Sequence, residues 1–220
     1  ERCGEAAMSV QEEIMEVLRV SWPVHLGFLV SVTTLYLVFP FFTYVPAAGA
    51  GWLGSNLPLA LFYTRLFTDL AGRLLPRIRS LQLRSASSVL SLAAASLALA
   101  ALFFAYILAS RPLAPPPPSS FPATAAAAAA AIPTAATTTT TTAVHHSRVL
   151  WSLLHNDAVP LVLVVALWLL GGFTNTAANT LAPLLVPPEL AGRASALMAL
   201  GFNAGHIGGL LAAAALAAAA

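Results

Sequence analysis

Five stretches of this chain are almost unbroken apolar sequence, each of about twenty residues or more, and that repetition constrains the fold more than any other feature. They run over residues 17–42, 52–75, 87–110, 158–181 and 190–219. About twenty such residues form a helix that crosses a bilayer, where every backbone group must be satisfied within the segment. The sequence therefore predicts an all-α polytopic membrane protein with five transmembrane helices. Composition excludes the alternative. Only 8% of residues are charged and 59% are hydrophobic, whereas a soluble domain carries roughly a quarter charged residues.

The same scarcity narrows the partners. A net charge of +2, scattered along the chain, gives no basic patch for nucleic acid. The lipid bilayer is the expected surrounding. Cys3 is the single cysteine, so neither an internal disulfide framework nor a thiolate metal site can form. No His, Asp and Glu cluster has metal-ligand spacing, and no cofactor is expected. No phosphate-binding Gly loop, nucleophile elbow, carboxylate pair or Ser/His set stands in the apolar stretches, so the reading is not an enzyme.

Residues 1–16 hold five Glu and no apolar core of a signal peptide. Ser9 and Glu12 have capping-box spacing, which predicts a polar helical lead-in. Residues 111–157 are dominated by Pro, Ala and Thr tracts and read as a disordered low-complexity loop. Arg is distributed unevenly among the connections. Arg2, Arg19, Arg73, Arg77, Arg79, Arg84 and Arg193 fall on one side, Arg111 and Arg148 on the other. The positive-inside rule then puts the N-terminus in the cytoplasm and, with five spans, the C-terminus outside.

The second stretch breaks the pattern. In "FYTRLFTDLAGR", residues 62–73, Arg65, Asp69 and Arg73 recur every four residues. On a helix that spacing drifts only about 40° per step, so all three share a face. Each charge costs about 2.5–3.5 kcal/mol near the bilayer centre. An Asp69–Arg73 pair offsets part of that cost. Arg65 is a rival partner for Asp69. Such a face belongs against the bundle or a wet cavity, as a functional site or as an intrahelical pair that locks helices together.

Other polar positions carry a packing reading beside a functional one. Asn175 and Asn179 lie on one stripe of the fourth stretch, either lining a polar path or joining helices. Gly201, Gly205 and Gly209 form a GxxxGxxxG face, read as close helix packing. His25 and His206 are single histidines in apolar surroundings, read as packing residues more readily than as proton carriers.

The segment "FYTRLFTDLAGR" resembles the DxxGR signature in the eighth helix of the equilibrative nucleoside transporters. "TTLYLVFPFFTY" is similar to their seventh helix, which ends in Phe-Pro. "GGFTNTAANTLAPLLVPPELAGRASALMALGFNAGHIGGLL" resembles the tenth and eleventh helices and the loop between them. The resemblance covers nearly all of the chain outside the low-complexity loop. It implies the C-terminal half of such a transporter, helices seven to eleven, resembling the C-terminal bundle of a major-facilitator-like fold. The six-helix N-terminal half would be the missing partner.

What the resemblance implies for function is transmembrane movement of nucleosides or nucleobases by alternating access, most naturally at the plasma membrane. Asp69 and Arg73 would contact substrate; Phe39, Phe62 and Asn175 would complete the site. Three positions depart from the signature. Leu66 stands where an Asn is common, Arg65 is an additional charge, and Thr176 follows Asn175 where Gly is common. The competing expectation is a non-transporting membrane scaffold or a degenerate transporter fragment, in which Asp69 and Arg73 serve folding alone.

Overall fold

A computed structural model describes residues 9–45, 53–110 and 156–219. They form five long helices: α1 (Val10–Val38), α2 (Leu57–Leu74), α3 (Ala86–Ser110), α4 (Ala158–Leu181) and α5 (Ala191–Ala219). Short 3-10 turns join or extend them, and there is no strand among the described residues. Within this set, α1, α3, α4 and α5, with the 3-10 turns flanking α1, α4 and α5, are long and apolar enough to cross a membrane. That is the build of an integral multi-pass membrane protein. α2 is the exception. It has 18 residues and carries Arg65, Asp69 and Arg73.

Two boundaries differ from the hydropathy reading. The first helix begins at Val10, not at residue 17, and the polar lead-in is its first two turns. The cause is the capping box. Ser9 N–H donates to Glu12 Oε2 at 2.8 Å, and Glu12 N–H donates to Ser9 Oγ at 3.3 Å, so a full helical start forms upstream of the apolar run. The second helix is narrower than residues 52–75. It starts at Leu57, with Pro58 in its first turn, and passes into a 3-10 turn at Leu75–Arg77, which holds Pro76. A proline tolerates a first turn and ends a helix interior. The expected disordered loop, 111–157, lies outside the described residues except for Asn156 and Asp157.

Long-range polar contacts fix which helix ends lie together. Arg193 Nε donates to Glu13 Oε2 at 2.7 Å, placing the starts of α1 and α5 at one end of the bundle. Leu53 N–H donates to Asp157 Oδ2 at 2.7 Å, placing the starts of α2 and α4 together. The helices thus alternate in direction. Arg19, Arg77, Arg79, Arg84 and Arg193 lie toward the end where α1 and α5 begin, while Arg73 is level with Gly172 of α4, whose neighbour Gly171 meets Leu35 late in α1.

α1 packs most extensively on α5 and α3, and α4 packs on α2, α3 and α1. The largest apolar cluster joins Val38 at the end of α1, and Phe41 and Phe42 beyond it, to Leu61, Phe103 and Trp168. In lipid, apolar burial does not by itself favour helix contact, so close packing of small residues must. Gly27 lies against Val89 of α3, and Gly171 against Leu35 of α1. Several buried hydroxyls are satisfied locally, though Ser31 Oγ has no partner among the described residues. Ser21, Thr34, Ser96 and Thr174 each donate to the carbonyl four residues back, over 2.6–3.1 Å.

Candidate functional site

The charged face is built at the crossing of α2 and α4. Leu57, Leu61 and Gly72 are the buried edge of α2. At Gly72 a Cβ would overlap the carbonyl oxygen of Leu169 on α4. At Gly172 a Cβ would lie 2.5 Å from the carbonyl oxygen of Asp69 and 3.0 Å from Asp69 Oδ1. Two glycines, one from each helix, therefore let the backbones touch at the level of the acid. Gly72 is the glycine of the DxxGR sequence, and its role here is close approach.

Directly beside this contact, Arg73 Nε donates to Asp69 Oδ2 at 2.9 Å. The pair sits at the rim of the helix seam: the Asp69 side chain is 26% exposed and that of Arg73 51%. Phe62, Asp69 and Arg73 lie within about 40° of one another around α2. They form one open strip flanking the buried edge, with Phe62 itself exposed.

Arg65 does not pair with Asp69. Its guanidinium lies over the Phe39 ring, 3.9 Å from the centroid, and 5.7 Å from that of Trp168. Asp69 is already held by Arg73, while two aromatic faces from α4 and the end of α1 offer Arg65 a seat. Phe39 also approaches Phe62, with centroids 6.2 Å apart. Phe39, Phe62 and Arg65 therefore form one cluster, continuous along α2 with Asp69 and Arg73. Tyr36 lies within electrostatic range of Arg65. Its ring stacks on His206 of α5, centroids 3.8 Å apart, with Phe202 set edge-on.

Asn175 stands apart from this strip. It is buried, and its α4 neighbours one turn away are Gly171, against Leu35, and Ala178, in a cluster with Phe28 and Val32. No contact joins it to Asp69 or Arg73 among the described residues. The α4 face that meets α2 is instead that of Leu169, Gly172 and Phe173. Asn175 Oδ1 is buried without a hydrogen-bond partner among the described residues. Asn179 Nδ2 donates to the Asn175 carbonyl at 2.8 Å, a local bond along α4.

The histidines and the glycine face lie along the α1–α5 contact, and His25 Nε2 is buried without a hydrogen-bond partner among the described residues. His25 Nδ1 lies 3.0 Å from the Ser21 carbonyl, and His206 is in the aromatic stack. Gly205 meets Val32, and a Cβ at Gly209 would lie 2.6 Å from the Thr33 carbonyl. A groove of about 450 Å³ between α1 and α5 is lined by Trp22, His25, Phe28, Leu197 and Gly201 among others, away from the charged strip.

Sequence reading missed Tyr36, Trp168 and Gly172 as parts of this region. Tyr36 and Phe39 stand three apart on α1, an aromatic pair at helical spacing that could have drawn notice. Nothing local marks Trp168 or Gly172, whose roles depend on α2, about a hundred residues upstream. The chain matches no family model, and no curated protein or solved structure matches it.

Proposed function

We propose that this chain forms the C-terminal half of a membrane transporter for nucleosides or nucleobases, working by alternating access in the plasma membrane. The observation that carries the reading is the open strip of Phe62, Asp69 and Arg73 beside Phe39, within a bundle of apolar helices. A carboxylate accepts hydrogen bonds from ribose hydroxyls, and a guanidinium donates to ring nitrogens and carbonyls. Phe39 and Phe62 offer flat apolar faces to a base. The sequence likeness to equilibrative nucleoside transporters points to the same residues. A second bundle, the six-helix N-terminal half of a major-facilitator-like fold, would close the strip into a cavity. Asn175, buried on another side of α4, is assigned to helix packing in this proposal.

One observation favours the scaffold reading: Asp69 and Arg73 already satisfy each other, beside a glycine contact that needs them nowhere else. Uptake separates the two. The full-length protein, expressed in nucleoside-transport-deficient cells, should take up radiolabelled adenosine or uridine. Asp69→Asn and Arg73→Ala, matched for surface expression, should each lower uptake by about tenfold or more, the loss of one charge-assisted contact. Normal uptake in both variants would make the pair structural. A well-expressed parent that moves neither solute would end the transport reading.

A further inference from the structure

Arg65 is a cation at mid-helix with no ion-paired acid among the described residues; Asp69, one turn away, acts on it only through space. It stands eight residues from Leu57 and nine from Leu74, about 12–14 Å from either end of α2 at 1.5 Å per residue. The acids of the described residues are otherwise engaged or distant. Asp69 is bonded to Arg73, Glu13 to Arg193, and Asp157 accepts from Leu53 N–H. Glu12 closes the helix cap, Glu16 lies by Arg19, and Glu189 stands in the turn before α5 at the Arg-rich end. The Arg65 guanidinium makes no hydrogen bond or ion pair among the described residues. Its face is covered by Phe39 and approached by Trp168, which leaves its N–H edge as the unspent donor surface. With Asp69 and Arg73, the strip carries a net charge of +1.

We propose that Arg65 recognises a planar oxyanion on the transported solute, so that the site favours a nucleoside bearing a carboxylate over its neutral parent. The inference rests on the transport reading above. A guanidinium fixed by ring stacking is pre-organised. Its fork matches a carboxylate with two parallel N–H···O bonds, which a Lys ammonium cannot reproduce. Asp69 and Arg73 remain for the sugar and base, while Arg65, one turn further along α2 and beside Phe39, meets a substituent on the ring. A lipid phosphate offers the same chemistry. The depth of Arg65, more than two helical turns from either end of α2, argues for a solute and against a headgroup.

The test is displacement of bound radiolabelled uridine from the full-length protein in phosphatidylcholine vesicles. The two competitors are uridine and orotidine, its ring carboxylate. Orotidine should compete about tenfold better than uridine. Arg65→Gln should bring that ratio to about one, whatever it does to the affinity for uridine itself, and Arg65→Lys should recover only part of the ratio. A ratio near one in the parent, or a ratio unchanged in Arg65→Gln, overturns the proposal while leaving the transport reading intact. Absence of uridine binding in the parent overturns both. Adding phosphatidylglycerol provides the last arm. If it abolishes the preference in the parent, the guanidinium serves a lipid headgroup and the solute assignment fails.

Discussion

The two outer helices are attached by the same means to different effect. α5 meets α1 along a stripe, with Gly201, Gly205 and Gly209 all facing α1 at one-turn intervals. α2 also packs along α4, through Leu57 and Leu61, but its backbone-to-backbone approach is at one point, where Gly72 and Gly172 face each other's backbones. The stripe carries no charge, and its polar members, Tyr36 and His206, are stacked ring on ring. The single point carries the Asp69–Arg73 pair on its rim. A stripe spreads its packing over several turns. On α2 the closest backbone approach is concentrated at one level, so the position of the charged strip depends on two residues without side chains.

Alanine at these glycines tests the contrast, and the largest effects belong where a Cβ would meet backbone: at Gly72 and Gly172 between α2 and α4, and at Gly209 on the stripe. Gly172→Ala should destabilise by about 2–3 kcal/mol, because backbone rather than a flexible side chain stands in the way. Gly72→Ala should do the same. The double variant should cost clearly less than the two losses combined, since the first methyl already forces the helices apart. Thermal unfolding of the protein in detergent measures all three. Strict additivity would mean that the helices do not meet at this point. Gly209→Ala, with backbone at 2.6 Å, should cost a similar amount at the α1–α5 seam. Because the rest of the stripe stays in place, the Asp69–Arg73 strip should keep its function in that variant.

The far end of the α1–α5 seam is held differently, by the Glu13–Arg193 ion pair. Both side chains are partly exposed, so Glu13→Gln should cost only about 0.2–1 kcal/mol. The loss should shrink further as salt is raised. A much larger loss would mean that the ion pair, not the glycine stripe, attaches α5.

What was legible in the sequence follows the range of the physics involved. Hydropathy, the capping box and the GxxxGxxxG face are read within one helix, and they located the helices and the packing side of α5. Hydropathy marks only where the lipid-like sequence begins, at residue 17; the helical lead-in before it is read from the Ser9–Glu12 capping box, which the structure contains. The shared face of Arg65, Asp69 and Arg73 was legible from spacing, but the choice of partners was not. Asp69 takes Arg73 because Phe39 and Trp168, distant in sequence, seat Arg65. Asn175 joins the strip only through the family resemblance. The turn of α4 that presents Gly172 to α2 leaves Asn175 among residues packed on α1.

The smallest effect is the most discriminating. At Gly201 a Cβ would meet only Phe28 Cδ1 at 3.6 Å and Cε1 at 3.9 Å, ordinary van der Waals contact. Gly201→Ala therefore adds no overlap. It removes backbone freedom from the unfolded chain and raises helix propensity, so the variant should be more stable by about 0.5–1 kcal/mol. The same substitution thus changes sign between Gly201 and Gly209, two turns apart on one face of α5. Opposite shifts in unfolding temperature would show that α5 leans on α1 more closely toward its C-terminal half, as the distances require. Equal losses at both positions would mean that the stripe is uniformly tight and that the contrast with the α2–α4 point is one of length alone.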